Sequence, residues 1–368
     1  MSDIPAAASP ASEAEPTGQP QQQPTITFKL TSTPAVDGVP YLAPDLPLYF
    51  VPRAELMSIK QLLMGKPTAL LAPLTVHGPP GSGKTSLATA VAHDADLLEA
   101  YPDGVLWTSL GEEGDVQHAQ ATWADALGLD LSHLPDTPSR AAALRTMLRD
   151  SRAILIIDDV TDVEQVKALN VGGPNCVRVI TTDKVDEISY GFKTRRYAIN
   201  RMSEDEALRL LTEWAGILPD IYLPTVNEII ERLLYSALAL SLVGAQARQG
   251  ITWLRLLEVL RDEQGPLATI DAENALHRQQ ALGIVLNLVL SRFGGAQLER
   301  SRLLAAFAPG MSSPFSVEAA SADDGVKRAA RPSTLSTTSV ISTAMVIAPA
   351  IRMALDLDIS ILLGSSNL

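Results

Sequence analysis

Short apolar runs alternate with helical patterns between residues 46 and 201. The runs that predict strands are 74–77, 104–108, 152–159, 177–182 and 196–199, and the patterns between them that predict helices include 54–63, 86–92, 116–127, 139–150 and 163–169. The run 152–159 is apolar on both faces until it ends in two acidic residues, which is typical of a strand in the middle of a parallel sheet. This alternation predicts an α/β domain, with a doubly wound parallel sheet flanked by helices.

The pattern changes at Met202 and becomes helical. Ser203 and Glu206 form a capping box, which opens a helix with an apolar face. Helical patterns follow at 226–248, 252–262, 281–293 and 298–307. We therefore expect an α/β domain over 46–201 to be followed by a helical subdomain over 202–266 and by a further region over 267–320.

The two ends of the chain have no such pattern. Residues 1–24 are rich in Ala, Pro, Gln, Ser and Glu and contain no aromatic residue, so we expect 1–45 to be a disordered N-terminal tail and linker, with a possible short strand at 25–30 and order from about Leu48. Residues 321–368 are an unassigned tail. The apolar stretch 340–363 is interrupted by Arg352, Asp356 and Asp358, which argues against a membrane span.

Charge and cysteine content restrict the class of protein further. The net charge of −13 and a pI of about 4.9 leave no basic field to displace counterions, so no nucleic-acid partner is expected. Cys176 is the sole cysteine, which rules out a disulfide within the chain and favours a reducing, cytoplasmic setting. The N-terminus has neither the basic flank nor the apolar segment of a secretory signal, and no membrane partner is expected.

A complete phosphate-binding loop of the form GxxxxGK[ST] occupies residues 78–85. It reads Gly78-Pro79-Pro80-Gly81-Ser82-Gly83-Lys84-Thr85. The glycines let successive backbone N–H groups converge on a phosphate chain, the lysine places a positive charge at the outer phosphates, and the threonine hydroxyl can ligate Mg²⁺. A predicted strand leads into the loop and a helix beginning with Ser86 leads out of it, so the fold is expected to be that of a P-loop NTPase.

Two acids at the end of the next buried strand complete the predicted site. Asp158 and Asp159 end a strand whose carboxyl edge is where ligands bind in open α/β sheets. We expect Asp158 to hold Mg²⁺ together with Thr85, and Lys84, Asp158 and Asp159 are the candidate catalytic residues. Asp159 either orients an attacking water or merely begins a turn. Both alternatives stay open because adjacent side chains on a strand point to opposite faces, so Asp159 need not face the site that Asp158 faces. Thr182 contacts the terminal phosphate or only satisfies local backbone groups.

Several motifs in one order resemble the NB-ARC nucleotide-binding domain of STAND-type signalling ATPases. The segment that begins Phe50-Val51-Pro52-Arg53 is similar to the family's opening "FVGRExEL", and 104–111 is similar to "GVLWVSLG". The strand with paired acids, the segment 177–182 and the helix from Met202 to Gly216 also match, so the resemblance covers about 46–245. It implies that Val51 and Arg53 border the adenine, that bound ADP keeps the protein off, and that exchange for ATP permits self-association.

The chain departs from the family at two positions near the nucleotide. Asp183 stands where the family has an arginine that reaches the γ-phosphate, and an aspartate there would repel that group. Ala237 replaces the proline of the "GLPLAL" motif, which reads Tyr235-Ser236-Ala237-Leu238-Ala239-Leu240 here. Residues 298–316 are similar to the start of the family's winged-helix region, so 267–320 is expected to be a partial winged-helix-like region.

These observations predict an ADP/ATP-binding molecular switch with slow, Mg²⁺-dependent ATP hydrolysis. One alternative is a nucleotide-binding scaffold that never hydrolyses, which Asp183 and Ala237 favour. Another is a mechanical ATPase of the AAA type, against which the acidic composition argues.

Overall fold

A five-stranded parallel sheet forms the centre of the structure, a computed structural model that describes residues 38–65, 72–111, 114–265 and 275–290. The strand order is β2-β3-β4-β1-β5, and all neighbouring strands pair in parallel. The strands are β1 (Leu74–His77), β2 (Val105–Ser109), β3 (Ile154–Asp158), β4 (Val177–Thr182) and β5 (Arg195–Ala198). The predicted α/β fold of a P-loop NTPase, with a parallel sheet flanked by helices, is thereby confirmed.

Two apolar clusters cover the two faces of the sheet. Successive residues of β3 alternate between them: Ile154 and Ile156 pack with one cluster, and Leu155 and Ile157 with the other. The uninterrupted apolar run of β3 therefore reflects burial on both faces. The helices that supply the clusters are α1 (Ala54–Leu63), α2 (Lys84–Ala92), α3 (Ala95–Ala100), α4 (Val116–Ala126), α5 (Thr137–Met147), α6 (Val163–Leu169) and α7 (Val185–Gly191).

The helical subdomain has an apolar core of its own. Its helices are α8 (Glu204–Ala215), α9 (Leu223–Arg232), α10 (Ala237–Arg248), α11 (Trp253–Gln264) and α12 (Ala275–Leu290). The capping box at the start of α8 forms as predicted, because Ser203 accepts a hydrogen bond from the Glu206 N–H and the Glu206 side chain accepts one from the Ser203 N–H. This subdomain packs around Leu211, Trp214 and Leu240, which are buried.

The helical pattern predicted over 226–248 is broken into two helices. Leu234 and Tyr235 adopt left-handed backbone conformations, with φ of 55° and 58°, and Ser236 then caps α10. Neither side chain favours that conformation, which costs roughly 1–2 kcal/mol per residue. The helical spacing of apolar residues does not reveal the break, because both helices bury aliphatic residues at that spacing.

Ordered contacts reach further toward the N-terminus than Leu48. Tyr41 bridges to the edge strand β2 at Val105, whose N–H donates to the Pro40 carbonyl and whose carbonyl accepts from the Leu42 N–H. Residues 40–42 therefore pair with the edge of the sheet, within the segment expected to be tail and linker. The prolines Pro40 and Pro44, which are uncommon within strands, hide this backbone pairing from a reading of the sequence.

The last described helix packs on the helical subdomain. Leu282, Val285 and Leu286 of α12 are buried in that core, so part of the segment 267–320 belongs with the helices before it. The rest of the proposed winged-helix-like region, the possible strand at 25–30 and the tail 321–368 lie outside the described residues. In the part of the chain that the structure describes, no helix is both long and apolar enough to cross a membrane.

Candidate nucleotide-binding site

The phosphate-binding loop connects β1 to α2 at the carboxyl edge of the sheet. Gly81 and Gly83 have φ of 73° and 95°, a conformation that glycine adopts without strain. Gly83 is the residue before α2, and its carbonyl accepts the first helical hydrogen bond from Leu87. The loop therefore curls at the positive end of a helix dipole, as an anion-binding loop requires.

Two side chains of the loop show that it suits a polyphosphate. Ser82 Oγ is buried and has no hydrogen-bond partner among the described residues. Lys84 Nζ folds over the loop and donates to the carbonyl oxygens of Gly78 and Pro79, at 2.8 and 3.3 Å. A buried hydroxyl and an ammonium group in one curled backbone loop can donate hydrogen bonds to the phosphate oxygens of a nucleotide. Pro80 is exposed, and Ser86 lies in the first turn of α2.

Asp158 lies beside the loop although β4 separates its strand from β1 in the sheet. Its carboxylate accepts hydrogen bonds from Thr85 Oγ1 at 3.0 and 3.2 Å, from Thr181 Oγ1 at 2.6 Å and from Ser109 Oγ at 3.2 Å. Asp158 is buried, with 3% of its surface exposed, and this burial raises the pKa of the carboxyl while the hydroxyl of Thr181 lowers it. The structure thus brings together the two residues predicted to hold Mg²⁺.

Asp159 does not continue the strand. It adopts a left-handed backbone conformation with φ of 56°, just beyond the end of β3, and its N–H donates to Thr181 Oγ1 at 2.8 Å. The rule that adjacent strand residues point to opposite faces therefore does not apply to this pair. Aspartate tolerates this conformation better than most residues, and the side chain is exposed.

Thr182 uses its hydroxyl on the backbone. The hydroxyl donates to the Val160 carbonyl at 2.6 Å and accepts from the Lys184 N–H at 2.9 Å, and the residue is fully buried. This is the alternative that the sequence left open, and the geometry gives no support to a phosphate contact of Thr182.

Arg53 lies under the phosphate-binding loop. Its guanidinium donates to the carbonyls of Ser82 at 2.9 Å and Asn200 at 2.7 Å, and it pairs with Glu55 at 2.9 Å. The Glu206 carboxylate of α8 approaches its Nε at 3.9 Å. Arg53 therefore connects the loop to the segment between the sheet and the helical subdomain.

The helical subdomain contacts the loop at the start of α10. The Leu238 N–H donates to the Gly81 carbonyl at 3.1 Å. A Cβ built on Gly83 would lie 3.8 Å from the Cβ of Ala237, the residue that replaces the expected proline. Val51 is buried in the core of the same subdomain.

Acidic groups surround the loop lysine. Burial lowers the pKa of Lys84, and the nearby carboxylates of Asp183, Asp159 and Asp158 oppose that shift. Asp183 is the largest of these three influences and is exposed. Asp183, which occupies the position where the family has an arginine, therefore places a negative charge near the end of the loop.

Four contacts around the site were not predicted from the sequence. They come from Ser109, Asn200, Glu206 and Leu238. Ser109 and Leu238 lie in segments that resemble family motifs and Glu206 lies in the capping box, but none of the four was assigned to the site. Each is an ordinary residue made important by tertiary packing. Only Ser109 offered a signal, because it ends a strand at the same sheet edge as Asp158.

The fold and this loop define a P-loop nucleotide-binding protein. The NB-ARC domain model matches residues 54–217. The regulatory protein AfsR of Streptomyces griseus is 32% identical over 153 residues, which are 40% of this chain and 15% of that protein. Apoptotic protease-activating factor 1 of Danio rerio is 27% identical over 236 residues, 60% of this chain and 18% of that protein. A probable disease resistance protein of Arabidopsis thaliana is 25% identical over 142 residues, 37% and 17% respectively.

Residues 54–217 are therefore an NB-ARC domain, the domain of STAND-class proteins that the order of motifs indicated. The chain spans only 15–18% of the length of these three relatives.

Proposed function

We propose that the protein is an adenine-nucleotide switch in signal transduction: ADP holds it off, and exchange for ATP permits self-association. The observation that carries the proposal is the contact between Thr85 and Asp158 at the mouth of a complete phosphate-binding loop. In this proposal Val51 and Arg53 border the adenine, and residues 78–86 hold the phosphates. The names of the relatives, a regulatory protein and an apoptotic activator, support a regulatory role.

The residues around the loop fit a magnesium ion. Mg²⁺ is usually held by one or two carboxylates together with waters and substrate phosphates, and here Asp158 and the Thr85 hydroxyl would supply the protein ligands. When bound, Mg²⁺ would neutralise charge on the phosphates during transfer. Lys84 stabilises the same charge, and Asp159 orients the attacking water. Because few groups stabilise the charge on the phosphates or orient the water, we expect hydrolysis to be slow.

The contacts between loop and helices explain how nucleotide would change the shape of the protein. Leu238 and Arg53 join the phosphate-binding loop to the helical subdomain and to the segment that leads into it. A nucleotide that alters the loop therefore alters the surface on which the subdomain rests. Exchange of ADP for ATP can shift the balance between two arrangements of the helical subdomain only as far as the two nucleotides differ in their affinity for those arrangements.

Asp183 favours a second candidate function, a scaffold that binds ADP and never hydrolyses ATP. Its carboxylate acts on Lys84, near the place where a γ-phosphate would lie. Repulsion between the two negative groups would weaken ATP relative to ADP. In the scaffold, the nucleotide only fixes the helical subdomain in place.

Three measurements on the full chain test the switch against the scaffold. The nucleotide that copurifies is expected to be ADP, identified by chromatography after denaturation. Slow ATP turnover that Asp159→Ala abolishes supports the switch, whereas no turnover in the parent protein supports the scaffold. Light scattering should show larger particles with ATP than with ADP, and identical sizes would refute nucleotide-dependent self-association.

Asp183→Asn provides a direct test of selectivity. Removal of the charge should raise the ratio of ATP to ADP affinity about tenfold. Asp186→Asn, at an exposed residue three positions later, is the matched control and should leave this ratio unchanged. The cytoplasmic location favoured by the single cysteine belongs to the same proposal and is tested by cell fractionation.

A further inference from the structure

An open cavity of about 520 Å³ lies at the amino edge of the sheet, opposite the phosphate-binding loop. It is formed between the C-terminal part of α5 and the loop that leads into β4. Arg145, Arg149 and Arg178 line it together with the glycines Gly172 and Gly173. Among the described residues, none that lines it carries a carboxylate, although acidic residues outnumber basic ones, 42 to 29, in the chain. We call this cavity the arginine pocket.

Arg178 forms the fixed base of the arginine pocket. It is the second residue of β4, and only 6% of its surface is exposed. Its guanidinium donates to Asn170 Oδ1 at 3.3 Å and to the Gly173 carbonyl at 2.9 Å, which are both neutral oxygens. Burial lowers the pKa of this guanidinium, so a nearby anion would stabilise its charge.

Arg145 and Arg149 form the rim of the pocket. Both are exposed; Arg145 lies in the last turn of α5, and Arg149 lies in the turn just beyond the end of this helix at Met147. The negative end of the helix dipole favours positive charge at this place. An anion bound between the two side chains would offset the repulsion between their like charges.

The two walls of the pocket are locked together before any ligand arrives. The Gly173 N–H donates to the Leu148 carbonyl at 3.2 Å, and a Cβ built on Gly173 would lie 2.0 Å from the Arg149 carbonyl oxygen. No side chain larger than hydrogen fits at that position. The loop and the helix end therefore hold the backbone that carries the three arginines in one arrangement, which lowers the entropy cost of binding.

We propose that the arginine pocket binds a small anion with two or more phosphate groups, at a site separate from the phosphate-binding loop. A planar guanidinium group can donate two parallel hydrogen bonds to two oxygens of one phosphate, and arginine is preferred where this bidentate geometry matters. The cavity volume lies within the range of roughly 300–1,000 Å³ that is typical of small-molecule sites. Three positive charges without a lining carboxylate match a diphosphate better than a monocarboxylate.

Calorimetry with inorganic pyrophosphate tests the proposal on the full chain, first saturated with ADP so that the phosphate-binding loop is filled. One further equivalent of pyrophosphate should bind. The double variant Arg145→Ser, Arg149→Ser should weaken this binding at least tenfold, while its fold is preserved because both residues are exposed. A second double variant, Arg209→Ser and Arg255→Ser, removes two charges from exposed positions on α8 and α11 and should leave the affinity unchanged.

Three results would overturn the proposal. The first is no binding of pyrophosphate beyond the loop, and the second is equal weakening in the two double variants. The third is binding that Lys84→Ala abolishes and the rim variant leaves intact, because the anion would then occupy the phosphate-binding loop. Binding that survives Lys84→Ala and fails in the rim variant supports the arginine pocket, whatever the outcome for the proposed switch.

Discussion

Thr85 Oγ1 lies 3.0 Å from Asp158 Oδ1, although 73 residues separate them in the chain. Asp158 ends β3, Thr85 follows the loop after β1, and β4 lies between these two strands, so the side chains meet because parallel strands present their carboxyl ends at one edge. The contact joins an exposed hydroxyl at the start of α2 to a buried carboxylate.

Asp158→Asn should separate nucleotide affinity from stability. We expect the gain in ADP affinity that Mg²⁺ provides to fall about tenfold, because the metal loses its carboxylate ligand. Since Asp158 carries a buried charge, the free energy of unfolding without nucleotide should not fall, and a rise of up to about 2 kcal/mol is expected. Fluorescent ADP titrations with and without Mg²⁺, and urea unfolding, measure the two effects. Asp125→Asn, on an exposed face of α4, is the control.

Gly81→Ala should loosen the contact between the loop and the helical subdomain. Its φ is 73°, and the new Cβ would meet the Leu238 Cβ at 3.1 Å. Gly128→Ala is the matched control, because its φ is 69° and nothing lies within 4 Å of the Cβ position. Both variants should lose about 1 kcal/mol of unfolding free energy from backbone strain. Only Gly81→Ala should also weaken ADP binding, by roughly threefold to tenfold; equal ADP affinities would show that Leu238 plays no part.

Arg53→Met should destabilise the protein strongly. The substitution leaves Glu55 buried without its partner and removes the hydrogen bonds to the carbonyls of Ser82 and Asn200. Removal of one partner of a buried pair costs about 3–5 kcal/mol. Arg196→Met breaks only an exposed pair with Asp186 and should cost less than about 1 kcal/mol. Urea unfolding of both variants makes the comparison, and similar losses would mean that Arg53 is not a structural link.

The stability of the helical subdomain should depend on Glu228 in acid. Arg261 and Arg232 donate hydrogen bonds to this carboxylate and stabilise its negative charge, which lowers the pKa of the carboxyl from 4.5 to about 2. The pair with Arg232 lies within α9, and the pair with Arg261 joins α9 to α11. A depressed pKa contributes stability above the unfolded value, and that contribution is lost as the pH falls from about 4.5 toward 2.

Glu228→Gln should therefore be less stable than the parent protein by about 1 kcal/mol at pH 7. The gap should narrow as the pH falls below about 4.5 and close near pH 2. Urea unfolding at several pH values measures the gap. Glu258→Gln, which breaks an exposed pair within one turn of α11, is the control and should show a smaller difference. A gap for Glu228→Gln that stays constant down to pH 3 would rule out the ion pairs as its cause.

The sequence predicted the parts of this molecule that depend on local pattern. The strands come from runs such as Ile154-Leu155-Ile156-Ile157, and the loop from fixed spacings of Gly and Lys. The left-handed turn at Leu234 and Tyr235 was not predictable, because tertiary packing imposes a conformation that neither residue prefers. The position of Arg53 under the loop and the contact of Leu238 with Gly81 also depend on how two units pack, for which a single sequence carries no periodic signal.

Calorimetric titration of Mg²⁺ and ADP into the parent protein and into Lys84→Ala tests the central claim most directly. Lys84 Nζ lies over the loop that would hold the phosphates, so its removal should weaken ADP binding at least tenfold. Lys193→Ala, a lysine outside the loop, should bind ADP like the parent protein. Unchanged affinity in Lys84→Ala, or no ADP binding by the parent, would contradict a nucleotide site at this loop.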